Sequence, residues 1–139
     1  MLRVNSNKVL RGDAFEIFPE DDEFPNALKL LPDAPKKLYL IGNPNALREG
    51  IGIVGARRAT PYGISCTTHF ARIAARQGIV VISGGAYGCD SASHKAALKE
   101  KKATVVFLGG GCNEIYPVGN TRMYQAIIDN QGAIVSEQP

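Results

Sequence analysis

The stretch from Gly50 to Leu98, GIGIVGARRATPYGISCTTHFARIAARQGIVVISGGAYGCDSASHKAAL, constrains the fold more than any other part of the chain. Two short apolar runs, Ile51-Gly52-Ile53-Val54 and Ile79-Val80-Val81-Ile82, each end in a glycine-containing turn, and each turn opens a segment of helical character. A strand–turn–helix unit written twice implies a right-handed βαβ crossover and a parallel sheet. The glycines let the backbone approach a bound group, and a helix N-terminus offers unpaired N–H groups to an anion. Binding chemistry is therefore expected in these two turns.

The first core strand is predicted over about 51–55, followed by a helix from Pro61 to Gln77 that Gly78 ends. Cys66, Phe70, Ile73 and Ala74 share one face of that helix and should point inward, with His69, Arg72 and Arg76 opposite. The second strand spans 79–83, and Asp90 is placed to cap a helix over 91–100. A third strand over 103–108 leads into Gly109-Gly110-Gly111, a helix over 120–130 carries Met123, Tyr124, Ile127 and Ile128 inward, and a fourth strand begins at Ala133. Before all this, Leu38–Ile41 reads as a short strand, and the segment from Phe24 to Pro35 as a helix-like turn between prolines. Residues 1–24 lack clear periodicity and carry the acidic run Glu20-Asp21-Asp22-Glu23, the pattern of a solvated leader. The predicted organisation is an acidic leader and short extension over residues 1–35 and a Rossmann-like unit over 36–139.

Charge divides the same way. Residues 1–35 hold four Lys/Arg against seven Asp/Glu, whereas residues 36–139 hold twelve against six. The glycine turns thus lie in a basic body, which suits an anionic ligand. The three cysteines, Cys66, Cys89 and Cys112, are odd in number and widely spaced, which argues against a zinc site or a disulfide framework and for a reducing cytoplasm. The start, MLRVNSNKVLRGD, has no apolar signal region, and no apolar run approaches a membrane span.

In the usual doubly wound order the first core strand is central, the second and third lie to one side, and the fourth crosses to the other. Ligands then bind at the crevice between strands one and four. Its near wall would be Gly55-Ala56-Arg57-Arg58, and its far wall would begin at Ser136-Glu137. Nothing further completes that wall, so the chain reads as half of a doubly wound domain, incomplete at its C-terminal end. No G-x-G-x-x-G follows the first apolar run; two arginines stand where such a turn would meet a pyrophosphate. Arginine binds phosphate bidentately and stacks on bases, although solvated surface arginines would carry the same pattern. In the second turn Ser83, Gly84 and Gly85 could seat an anion, or the glycines could serve turn geometry alone. Asp90 and His94 stand four apart on one helix face, and a cap with a packed histidine explains them better than a catalytic pair.

Taken together, FPNALKLLPDAPKKLYLIGN, IGIVGARRATPYG, VVISGGAYGCDSASHKAAL, TVVFLGGGCNEIYPVGN and GAIVSEQP resemble, in order, the segments of the DprA/Smf family, bacterial DNA-processing proteins of natural transformation. The resemblance covers roughly residues 24–139. It implies an extended Rossmann-like domain that binds single-stranded DNA, helps load the RecA recombinase and is not known as an enzyme. It also implies that Arg57 matches the arginine of the family's G-[ST]-R turn, which contacts DNA, with Ala56 in place of the usual hydroxyl residue. By that resemblance and the turn chemistry, the DNA-binding candidates are Gly55, Arg57, Arg58, Ser83, Gly84 and Gly85, with no cofactor and no metal. Tyr87 and Cys89 depart from the common SGLARGID pattern, and the family's later F-x-x-R-N-R motif and N-terminal helical domain are not found in this sequence.

Two alternatives stand beside this reading. Related Rossmann-like enzymes that cleave nucleotide phosphoribosyl bonds carry P-G-G-x-G-T-x-x-E, which this chain lacks. A gene remnant, or a part that needs a second chain, would explain the unfinished crevice. On that ground self-association is expected through Ala133-Ile134-Val135, which would lie on an open sheet edge.

Overall fold

The computed structural model describes residues 1–4 and 9–139. Among them the strands β1 (Leu2–Val4), β2 (Ala14–Ile17), β3 (Leu38–Gly42), β4 (Gly50–Gly52), β5 (Val80–Ser83), β6 (Thr104–Leu108) and β7 (Ala133–Ser136) form one sheet, in the order β1-β2-β3-β7-β6-β5-β4. The helices are α1 (Asn26–Lys29), α2 (Pro61–Arg76), α3 (Cys89–Lys99) and α4 (Thr121–Asp129). Strands β4 to β7 pair in parallel, and β1, β2, β3 and β7 pair antiparallel. The result is the Rossmann-like α/β fold expected, with a different strand order.

Local chemistry explains the elements. Thr60 caps α2 by accepting from the Gly63 N–H at 3.1 Å, Pro61 opens the helix, and Gly78 at φ +75° follows its end. In α4 the predicted stripe of Met123, Tyr124, Ile127 and Ile128 is buried throughout. The crossovers from β4 to β7 all run in one direction, so their right-handedness puts α2, α3 and α4 on one face. On the other face Phe24, Ala46 and Leu47 cover Val80, Val105, Ala133 and Val135.

Strand order corrects the doubly wound expectation. The first core strand is not central: β4 lies at the sheet edge, and β7 is interior, between β6 and β3. The apolar segment Leu38–Ile41 must satisfy its own backbone donors and acceptors, and it does so along β7. The open edge expected at 133–135 is therefore absent. Among the described residues, the parallel strand with an unpaired side is β4.

The leader is not simply solvated. β2 pairs with β3, and Leu10, Ile17 and Phe24 are buried. Its strands are too short for an alternating pattern to stand out, and the acidic run lies in the turn that follows β2, where the Asp21 carboxylate accepts from the Phe18 N–H at 2.7 Å. Residues 5–8 of the leader lie outside the described set.

The inward face of α2 is also rotated from the one expected. Ala71, Ala74 and Ala75 are buried, against Ala96 and Ala97 of α3 and Val81 of β5. Phe70 is 63% exposed, Ile73 is exposed as well, and Cys66 is only partly covered. Helix and sheet approach closely through small residues, which leaves no depth for the larger stripe.

Phe24 tests whether the N-terminal segment belongs to the core, since it is 2% exposed. Phe24→Ala should lower the unfolding free energy in urea by about 3–5 kcal/mol. A solvated leader would give a change within about 0.5 kcal/mol.

Candidate nucleic-acid interface

The two glycine turns meet at the carboxyl ends of the parallel strands. Beyond β4 the Ile53 N–H donates to the Ile82 carbonyl at 2.9 Å, and Ser83 Oγ donates to the Ile53 carbonyl at 2.5 Å. A Cβ on Gly55 would come within 2.7 Å of the Cys89 sulfur. Gly88, at φ +79°, lies against the carbonyls of Ala56 and Arg57, and the Cys89 N–H donates to Ala56 at 3.2 Å. Only glycine permits this crossing of backbones. The turn carrying Arg57 and Arg58 is thus seated on the second turn, with both arginines exposed.

Below them is a cavity of about 220 Å³, lined among others by Arg57, Gly84, Tyr87, Gly109, Glu114 and Tyr116. Arg58 is not part of its lining.

Buried polar groups hold the second turn in place. Asp90 was expected to cap α3; instead the helix starts two residues earlier, at Cys89, and Asp90 turns back from the first turn. Its Oδ2 accepts the Gly84 N–H at 3.1 Å and the Ala86 N–H at 3.4 Å. A carboxylate buried there is favoured by the positive end of the helix. Ser91 Oγ donates to the Ala86 carbonyl at 2.5 Å, and Asn120 Nδ2 reaches the Gly85 carbonyl at 2.8 Å and Ser91 Oγ at 2.9 Å. The Tyr124 hydroxyl lies 2.8 Å from the Gly85 carbonyl and 3.0 Å from that of Tyr116. Burial pushes the Tyr124 pKa up to about 12, so it stays a neutral donor.

The predicted residues therefore separate by place. Gly55, Arg57 and Arg58 are at the surface, and Gly84 lines the cavity with its N–H engaged by Asp90. Ser83 and Gly85 are buried and lie outside the lining, where Ser83 bonds Ile53 and the Gly85 carbonyl accepts from Asn120 and Tyr124. With those N–H groups occupied, the positive group aimed at the cavity is the Arg57 side chain, not an open backbone nest in the second turn. Sequence reasoning passed over Tyr87, Glu114 and Tyr116 as lining and Asn120 as a support. A tyrosine before a proline in a loop was a usable signal for Tyr116. Nothing local predicts that Asn120 bonds a turn 35 residues earlier in the chain.

A mixed sheet whose parallel strands end at a cavity lined by Arg57, Glu114 and two tyrosines is the architecture of a Rossmann-like α/β domain, a class that takes its ligands at the strand ends. Within that class, a model of the DNA recombination-mediator protein A family matches residues 16–139, and the chain belongs to this family. It is 34% identical to protein Smf of Escherichia coli over 88% of this chain and 33% of that protein. It is 35% identical to DNA processing protein DprA of Bacillus subtilis, over 84% and 40%. Among solved structures it is similar to DNA processing protein A of Helicobacter pylori, described for its single-stranded DNA binding mode: TM-score 0.78, 34% identity, 91% of this chain and 56% of that one. The DprA structure from Streptococcus pneumoniae superposes with a TM-score of 0.79 at 31% identity, over 88% of this chain and 43% of that one. The chain spans well under half the length of these curated relatives.

Asp90 and His94 do not bond each other. His94 is fully buried, its Nδ1 is 2.8 Å from Thr104 Oγ1, and Thr104 in turn donates to the Val81 carbonyl at 2.6 Å. Thr104 thus accepts the Nδ1 proton, and Nε2 is left without a partner. Burial pushes the His94 pKa down to about 4. The unfolded chain takes up this proton near pH 6.5 and the folded chain only near the lowered value. Stability should be full above about pH 6.5, fall as pH drops through that window and level off below it, a loss of about 3 kcal/mol. Urea melts at about pH 7 and pH 4.5 should show this fall, and His94→Leu should remove most of it.

Proposed function

We propose that this chain is a single-stranded DNA-binding protein of DNA uptake and recombination that presents its strand to RecA. The observation that carries the reading is Arg57 at the lip of a cavity at the strand ends, in the turn that the family resemblance assigns to DNA. The basic balance of residues 36–139 and the single-stranded DNA binding of the H. pylori relative support it. The proposed role is binding, not catalysis, since Asp90 and His94 each have a local partner. No group of His, Cys, Asp and Glu among the described residues is placed to hold a metal ion, and no helix there is long and apolar enough to cross a membrane. A cytoplasmic site of action fits this role.

Fluorescence anisotropy with an oligo-dT and its duplex tests the reading. The single strand should bind more tightly, and binding should weaken as salt rises because phosphate contacts release counterions. Arg57→Ala should reduce the salt slope by about 0.7, the share of one phosphate on a single strand, and Arg58→Ala should change it less. Equal affinity for both DNAs would sink the proposal. Faster RecA assembly on single-stranded DNA when the chain is added would support the RecA step.

Self-association is proposed at the β4 side, where Ile51 is exposed at the sheet edge and Tyr62, Phe70 and Ile73 line the outer face of α2. Light scattering should detect a dimer that Phe70→Asp weakens; a monomer at every concentration would rule it out.

A further inference from the structure

The helical face of the sheet carries a second surface suited to an anion, away from the strand ends. Helices α2 and α3 pack together through alanines, Ala71 and Ala75 against Ala96 and Ala97. Beside that contact they leave an open groove of about 720 Å³. Ile64 and Thr68 of α2 line one side, and Ala92, Lys95 and Lys99 of α3 line the other. Tyr87 borders the groove at the end where α3 begins.

The charges of this groove are of one sign. Lys95 and Lys99 stand four apart, so both project from one face of α3. No carboxylate stands three or four residues from either, and none is in the groove's lining. Among the described residues neither lysine is in an ion pair, whereas Glu100, at the foot of α3, is held by Arg76 of α2 at 3.1 Å. Like charges at this spacing disfavour a helix slightly. The negative end of the helix compensates Lys99, in the last turn, but not Lys95, a full turn earlier. A polyanion lying in the groove would neutralise both.

We propose that the α2–α3 groove is a second track for single-stranded DNA, in which Lys95 and Lys99 hold phosphates of a strand that has already passed the Arg57 turn. The track rests on the single-stranded DNA reading above and extends it from the strand ends onto the helices. Continuity carries it: Tyr87 borders both the cavity and the groove, so a strand leaving the first meets the second. One helical turn separates the two lysines, a rise of about 6 Å that suits neighbouring phosphates of an extended strand. A lysine is a point charge without the planar fork of arginine, and phosphate contacts carry no sequence information, so the track is indifferent to base identity.

Anisotropy titrations of the chain with dye-labelled oligo-dT of about 5 and about 20 nucleotides, spanning the site sizes of single binding modules, test it. The double variant Lys95→Gln, Lys99→Gln should weaken the long oligomer several-fold and lower its salt slope by about 1.4, the share of two phosphates on a single strand. It should leave the short oligomer nearly unchanged, while Arg57→Ala weakens both. Lys95→Arg with Lys99→Arg should stay near native, because the charge is kept. Lys29→Gln with Lys36→Gln removes the same charge from exposed positions outside the groove and should change the slope much less. If that control lowers the slope as far as the groove pair does, net charge explains the binding and the track is overturned. If the groove pair leaves the long oligomer intact while Arg57→Ala still weakens both, the track is overturned and the DNA reading stands. Poly-glutamate binding that the groove pair abolishes, with the long oligomer unaffected, would assign the groove to an acidic polypeptide and overturn the track as well. Failure of the native chain to bind either oligomer at low salt overturns the track and the DNA reading together.

Discussion

The structure depends on the double pairing of β7. Its four residues are all buried, in parallel register with β6 on one side and antiparallel register with β3 on the other. That strand fuses the βα half of the chain to the N-terminal strands, so that one sheet has a core on each face. Ile134 packs with Val106 and Ile127 under the helices, while Val135 packs with Leu40 and Ile17 on the opposite side. A buried backbone N–H or carbonyl left unpaired costs as much as a lost hydrogen bond. The N-terminal segment is therefore part of the fold's hydrogen-bond economy and not a decoration on it.

The candidate interface rests on this frame through a second layer of buried polar contacts. Glycine loops carry much conformational freedom, which must be removed before they can present a ligand site. Asp90 and Ser91 of α3, Tyr124 of α4 and Asn120 just before it remove it here, by bonding the backbone of residues 84–86. Donors and acceptors on rigid helices thus fix a loop that has little side-chain packing of its own. Their effect is to hold Tyr87 and the seat of the Arg57 turn in one geometry, with the exposed arginine at the lip of the cavity.

The close packing of α2 shows a trade between depth and reach. Alanines at 71, 74 and 75 bring the helix near the sheet and α3, and the longer apolar side chains of the same helix are displaced outward. A helical wheel counts both stripes as apolar and favours the larger residues. Which stripe is buried is set by the spacing between helix and sheet, and that spacing is a tertiary quantity.

The sequence by itself determined the βαβ rhythm, the placement of α2, α4 and the parallel strands, the Arg57-Arg58 turn and the family, because periodicity, glycine positions and caps are local and the motifs are contiguous. Strand order, the burial of Leu10, Ile17 and Phe24, the engagement of Asp90 with the second turn, and the meeting of Arg57, Tyr87, Glu114 and Tyr116 around one cavity were decided only by the tertiary structure. Each joins residues far apart in the chain. No period in the sequence says which edge of a strand another strand will take, or which backbone a carboxylate will reach once it is buried.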